Sequence, residues 1–262
     1  MGWDPGQYRR FAEERAQPFH DLLALIAPGP IGRAVDLGCG PGELTALAAR
    51  RLGAGDMVGI DSSPAMLAAT RDHTTDTVRF APGDIGAWTS AADHDLVLAA
   101  ASLQWVPDHA GVLRRWTAAL APGGQLAVQV PANAHSPSHT VAAALADTEP
   151  YRSAFGVTGP PPDPVAANVL TPDDYARLLH ELGFAHQHVR LQVYPHVLPS
   201  TRHVVEWVKG TTLTRVRSAL PADLYRQFLA DYERELLAAL GDHEPYFFPF
   251  RRILFVARRP PA

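Results

Sequence analysis

Cysteine and lysine are almost missing from this chain of 262 residues: Cys39 is its only thiol and Lys209 its only lysine. One cysteine can close no internal disulfide and build no Cys-rich zinc site, which excludes an oxidised, disulfide-stapled scaffold and points to a reducing compartment. Long apolar runs are missing too. The stretch from Leu96 to Leu103 falls well short of the roughly 20 residues that cross a bilayer, so no membrane association is expected. Asp4, Glu13 and Glu14 stand where a signal peptide needs a basic start and an apolar segment, and Gly6 stands where myristoylation needs Ser or Thr. The expectation is a cytoplasmic protein. Excess positive charge is also absent, since 23 Lys plus Arg against 27 Asp plus Glu leave a net charge of -4. That argues against a nucleic-acid partner, which would need a broad basic field, while a local basic pocket for an acidic metabolite stays compatible.

What the chain does contain is the balance of a globular protein, 47% hydrophobic and 19% charged residues. Its length accommodates one large domain with insertions or two small ones. From Arg33 to Val130, apolar runs of strand length alternate with helical patterns, the signature of βαβ units and a parallel sheet. Strands are expected at Ala34–Leu37, Met57–Ile60, Val78–Phe80, Asp95–Ala100 and Leu126–Val130. Ser63-Pro64 and Thr171-Pro172 each read as a helix cap followed by a first-turn proline. Val189, Leu191 and Val193 alternate as a sixth strand, and Ile253–Ala257 is a buried seventh. The Pro-, Ala-, Ser- and His-rich stretch from Ala132 to Leu170 reads as an insertion or mobile cover. The expected fold class is therefore α/β, a doubly wound, mostly parallel seven-stranded sheet with a helical cap. Residues 31–130, 171–195 and 250–262 would form the core, and 1–30, 131–170 and 196–249 the cap.

The segment Val35-Asp36-Leu37-Gly38-Cys39-Gly40-Pro41-Gly42 is a strand running into a glycine turn that opens a helix. Such a turn serves either as a tight connection or as a place where a ligand meets bare backbone. A dinucleotide site would want a third glycine where Glu43 stands, and would leave Asp36 unexplained. A carboxylate just before the loop repels a pyrophosphate and suits an ammonium, such as that of the amino-acid end of S-adenosylmethionine. Asp61 ends the second strand about 20 residues further on, where an acid can accept from both ribose hydroxyls. Asp84 follows the third strand and can accept from an adenine amine, with Ile85 against the ring. Either acid alone also serves as a cap or solvated turn residue. Together with Asp36 and the glycines, each at the carboxyl end of a strand, they fit one nucleoside crevice.

These motifs, with Gly59-Ile60-Asp61-Ser62-Ser63-Pro64-Ala65-Met66, make the chain resemble the Rossmann-like class I S-adenosylmethionine-dependent methyltransferases. A narrower resemblance, to the trans-aconitate methyltransferases, runs through Trp3-Asp4-Pro5, Ala12-Glu13-Glu14-Arg15, Ala101-Ser102-Leu103-Gln104-Trp105-Val106-Pro107-Asp108-His109, Glu206-Trp207-Val208 and Phe255-Val256-Ala257-Arg258-Arg259. The pattern is met only loosely from Lys209 to Arg217. The resemblance implies S-adenosyl-L-methionine as cofactor, and adds Cys39, Ser62, Met66 and Ser102 to Asp36, Gly38, Gly40, Asp61, Asp84 and Ile85 as its binding residues. It implies a carboxyl O-methyltransferase forming the monomethyl ester of trans-aconitate or a similar small polycarboxylate.

Such a reaction needs no catalytic residue in the acid–base sense, because a carboxylic acid of pKa ~4 is ionised at neutral pH. The acceptor is expected beside Gln104 and Trp105, with Tyr8, Trp207 and Arg252 as further candidates. Each aromatic residue also reads as ordinary core. Counter-charges for a polyacid would come from among Arg9, Arg10, Arg15, Arg215, Arg217, Arg251 and Arg252. His109 and His196 share no metal-ligand spacing with neighbouring acids, so no metal is expected. Two alternatives stand beside this reading. One is a methyltransferase for another small acid or a natural-product hydroxyl, which would need a base such as His109; the other is a non-catalytic protein that binds the cofactor.

Overall fold

A computed structural model describes residues 12–262. In chain order its helices and strands are α1 (Ala12–Leu25), β1 (Arg33–Leu37), α2 (Glu43–Leu52), β2 (Asp56–Asp61), α3 (Pro64–Ala68), β3 (Val78–Pro82), β4 (His94–Ala100), α4 (His109–Ala118) and β5 (Leu120–Pro131). There follow α5 (Pro137–Ala146), α6 (Tyr151–Ala154), α7 (Pro164–Asn168), α8 (Pro172–Glu181), β6 (His186–Leu198), α9 (His203–Lys209), α10 (Thr214–Ala219), α11 (Ala222–Leu240) and β7 (Tyr246–Arg258). Among the described residues no helix is long and apolar enough to cross a membrane.

The seven strands form one sheet in the order β3-β2-β1-β4-β5-β7-β6. β1 to β5 pair in parallel and β7 runs antiparallel to β5, so the sheet is mixed. Chain order reverses between β1 and β4. In doubly wound sheets ligands bind at that switch point, outside the carboxyl ends of the strands. Strand periodicity divides β4 between two faces: Val97 and Ala99 join a core with Trp116 of α4 and Tyr175 of α8, while Leu96 and Leu98 are buried on the other face. α1, with Phe19, Leu22 and Leu23 buried, packs against β5 and α2.

Local signals account for the helix ends. The Ser63 hydroxyl accepts from the Met66 N–H at 3.4 Å, and that of Thr171 accepts from the Asp174 N–H at 3.2 Å, each ahead of a first-turn proline. Gly53 closes α2 with a left-handed φ of 64°.

The chain divides into two compact units. Among the described residues one comprises 12–132, 168–192 and 251–262, and the other 133–167 and 193–250. Residues 12–30 were expected in the cap but belong with the sheet, tied there by the Ala27 N–H donating to Gln125 Oε1 at 2.8 Å. The stretch from Ala132 to Leu170, expected as an insertion or mobile cover, holds α5, α6 and α7. The last two strands are much longer than expected, because the Tyr246–Phe250 end of β7 is aromatic-rich and packs into the second unit's own core. That core gathers Tyr151, Trp207, Phe228, Tyr232, Phe248 and Phe250.

Candidate functional site

The glycine turn leaves β1 at the switch point. The Gly38 and Cys39 N–H groups both donate to the Ile60 carbonyl, at 2.7 and 3.0 Å, which locks the turn to the end of β2. Gly38 has φ 86°, and a Cβ there would lie 2.2 Å from the Ser102 Cβ, so no side chain fits. Gly40 has φ 56° with nothing within 4 Å of its Cβ position. Its backbone is bare and approachable, which is what close contact with a ligand requires.

Three carboxylates stand at this edge, each in a different state. Asp36 is 2% exposed; its Oδ2 accepts from the Thr45 hydroxyl at 2.6 Å, and its Oδ1 is buried with no hydrogen-bond partner. Burial raises its pKa to about 6, Thr45 opposes the rise, and the nearby charge of Asp61 adds to it. Asp61 ends β2, two residues beyond Gly59, the register partner of Asp36, and spans the two loops. Its Oδ2 accepts from the Gly40 N–H at 2.9 Å and its Oδ1 from the Ser63 N–H at 2.8 Å. Each oxygen keeps a further lone pair for a ligand hydroxyl. Asp84 is exposed, and its Oδ1 accepts from the Gly86 N–H at 2.8 Å. The neighbouring Ile85 is half-buried against the sheet core, and its carbonyl accepts from Trp116 Nε1 at 3.0 Å, so α4 fixes this loop. Ser62 is exposed, while Met66 is buried beneath α3.

The loop after β4 completes the edge. Ala101 has a left-handed φ of 56°, a conformation that costs an L-residue of order 1–3 kcal/mol and persists only where its surroundings impose it. Those surroundings are specific. The Ala101 N–H donates to the Gln129 carbonyl at 2.9 Å, Gln104 Nε2 donates to the Ala101 carbonyl at 2.7 Å, and Asn168 Nδ2 donates to the Gln104 carbonyl at 2.9 Å. The Ser102 hydroxyl donates to the Leu37 carbonyl at 2.5 Å. Gln104 was expected as a donor to the acceptor molecule; one of its two amide N–H groups goes to Ala101, and its Oε1 is buried without a partner. Trp105 is half-buried. Arg252, 7% exposed on β7 opposite Pro131, donates from Nη1 to Gln129 Oε1 at 2.9 Å, which brings it to the strand that holds Ala101.

Trp207 is 2% exposed and packs against His196, Phe248 and Phe250 at ring distances of 4.9, 5.5 and 5.5 Å, inside the second unit's core. Tyr8, Arg9 and Arg10 lie outside the described residues, as does the side chain of Arg15. Arg217 and Arg251 are exposed and Arg215 is buried. His109, the base of the hydroxyl-acceptor alternative, is 3% exposed, with Nδ1 on the Tyr175 hydroxyl at 2.7 Å and Nε2 on the Leu103 carbonyl at 3.0 Å. Burial lowers its pKa, and both ring nitrogens are engaged within the core, so it offers no base to a ligand. The Cys39 thiol is pushed up by burial and by Asp36 and Asp61, which makes it a poor nucleophile. Among the described residues no group of three His, Cys, Asp or Glu side chains could hold a metal. Thr45 escaped the sequence reading. Its position nine residues after Asp36, on the first turns of the helix that the glycine loop opens, is the signal that finds it.

The methyltransferase domain family matches residues 34–124. The chain is 40% identical to the trans-aconitate 2-methyltransferase of Mycobacterium sp. (strain KMS), over 98% of its own length and 99% of that protein. It is 42% identical to the trans-aconitate 2-methyltransferase of Deinococcus radiodurans, over 99% of each. The YcgJ protein of Bacillus subtilis shares the fold with a TM-score of 0.62 at 14% identity, over 94% of this chain and 99% of that one.

Proposed function

The chain belongs to the trans-aconitate 2-methyltransferase family, and from that premise we propose that it is an S-adenosylmethionine-dependent carboxyl O-methyltransferase acting on trans-aconitate or a similar small polycarboxylate. The observation that carries this reading is Asp36, a carboxyl 2% exposed beside the glycine turn with Oδ1 unpartnered. A buried acceptor asks for a donor, and a cationic donor also offsets the cost of keeping the carboxylate ionised. The ammonium of the cofactor's methionyl group meets both needs. Gly38, Gly40 and the edge of Cys39 would receive that group, Asp61 and Ser62 the ribose hydroxyls, and Asp84 and Ile85 the adenine. Met66 and Ser102 support the turns that carry these residues. A single buried thiol suits the reducing cytoplasm to which we assign the enzyme.

Asp61→Ala removes the acceptor of two backbone N–H groups together with the proposed ribose ligand. Losing such an acceptor costs on the order of 1–3 kcal/mol, so affinity for S-adenosylmethionine should fall about tenfold or more in a protein that still folds. Isothermal calorimetry on the folded variant checks this; unchanged affinity would remove Asp61 from the site.

Bound S-adenosylmethionine supplies an electrophilic sulfonium methyl. The protein's own task is then to orient the acceptor and keep water away, since the attacking carboxylate is already ionised at neutral pH. Trp105 offers a partly exposed apolar surface at the carboxyl edge, and Arg252, set by Gln129, a guanidinium for a carboxylate of the acid. No protein base is required. With both substrates saturating, the single-turnover rate should stay nearly flat from about pH 6 to 8, well above the acceptor's pKa of ~4. A rate rising tenfold per pH unit across that range would demand a titrating base and return the reading to a hydroxyl acceptor.

A further inference from the structure

The buried face of α2 carries a polar side chain among alanines. Thr45 is fully buried beside Ala46, Ala48 and Ala49. A valine has nearly the same shape, and a hydroxyl withdrawn from water costs free energy unless it is bonded. This one is bonded at a single functional point: it donates to Asp36 Oδ2 at 2.6 Å, nine residues back on β1. The other oxygen of Asp36, Oδ1, is buried with no partner.

The remaining neighbours of Asp36 oppose its charge or ignore it. Its register partners, Gly59 on β2 and Leu98 on β4, are uncharged. Asp61 at the end of β2 adds a like charge. Cys39, in the turn after β1, is a thiol that burial and the two acids keep protonated. Among the described residues packed around Asp36, Thr45 on α2 is the group that favours the ionised form, because an O–H donated to a carboxylate is a charge-assisted bond, roughly twice as strong as a neutral one.

We propose that Thr45 is the positioning residue of the cofactor site: its hydroxyl occupies Asp36 Oδ2, presents Oδ1 to the ammonium of the cofactor's methionyl group, and keeps the carboxyl in the charged form that attracts that ammonium. The proposal rests on the S-adenosylmethionine reading above and adds to it the residue that sets the pH range over which the cofactor binds. A proton on Asp36 competes with the ammonium. With Thr45 in place burial pushes the carboxyl up to about 6. Losing a hydrogen bond to a charged group moves such a balance by about one to two pH units, so without Thr45 the proton would stay on to about pH 7 or 8.

The test measures S-adenosylmethionine affinity of the full chain by calorimetry at pH 6 and pH 8.5, each variant against wild type, so that titration of the ligand's own amine cancels in the ratio. Thr45→Val keeps the shape and removes the hydroxyl. It should bind about five- to fiftyfold more weakly than wild type at pH 6 and within about twofold of it at pH 8.5. Thr45→Ser restores the hydroxyl and should bring the ratio at pH 6 back below about twofold. A purely structural threonine would give Thr45→Val the same ratio at both pH values; that result, whether the ratio is near one or large, overturns the proposal, as does a Thr45→Ser protein as weak as Thr45→Val at pH 6. Should Thr45→Val fail to fold, Thr45→Ala, which adds no bulk, is judged by the same two ratios. Wild-type protein that binds no S-adenosylmethionine overturns the cofactor reading together with this proposal, whereas tight wild-type binding with a pH-indifferent Thr45→Val overturns only the role of Thr45.

Discussion

Asp36→Asn is expected to weaken S-adenosylmethionine binding about 10- to 100-fold, the worth of a charge-assisted hydrogen bond, while making the ligand-free protein more stable above pH 7. Both effects have one cause. Burial pushes the pKa of the Asp36 carboxyl in the folded protein up to about 6 from its ordinary 3.8. The native state therefore binds this proton more tightly than the unfolded chain does. Stability declines as pH rises from about 4 to about 6 and is level above, by about 3 kcal/mol at roughly 1.4 kcal/mol per pH unit. Asn is neutral at every pH and can still meet the Thr45 hydroxyl, so it relieves that cost and flattens the profile. Binding of the cofactor's ammonium should pull a proton off Asp36 in the wild type. Calorimetry at about pH 5.5 in two buffers of different ionisation enthalpy should register proton release, and at pH 7.5 almost none. Tight binding by Asp36→Asn, or no proton release at the lower pH, would show that Asp36 does not face the cation.

The two glycines of the turn should separate folding from binding. Gly38→Ala drives a Cβ to 2.2 Å from the Ser102 Cβ at φ 86°. Overpacking and left-handed strain each cost about 1–3 kcal/mol, so a loss of roughly 3–5 kcal/mol is expected in urea unfolding. Gly40→Ala meets nothing within 4 Å and pays only the left-handed penalty of about 1–2 kcal/mol. Its larger effect should be on cofactor affinity, because the new methyl stands where the backbone is bare. Equal destabilisation by the two substitutions would mean that Gly40 is there for the turn alone.

Much of this site can be read from sequence because it is local. Asp36, Gly38 and Gly40 lie within a few residues of one another at a strand-to-helix turn, and Asp61 repeats the pattern at the end of the next strand. The alternation of strands and helices likewise reports directly on parallel βαβ units. What sequence could not convey depends on burial and on distant partners. Gln104 reads as a free donor in the sequence, whereas one of its two amide N–H groups goes to Ala101, three residues earlier. His109 looks reactive until Tyr175, far along the chain, closes on its ring. Trp207 has the residue type of a substrate wall, yet Phe248 and Phe250 on β7 enclose it in a core. The helices within 137–168 were hidden by short length and high proline content, which read as loop.

Incubating the full chain with methyl-labelled S-adenosylmethionine and trans-aconitate, followed by mass analysis of the extracted acids, bears most directly on what the protein does. A labelled monomethyl ester of trans-aconitate, absent when Asp36→Asn protein is assayed at limiting cofactor, is the expected product. Label that stays wholly on the cofactor, or that appears on hydroxyl acceptors and on no carboxylate, would contradict it.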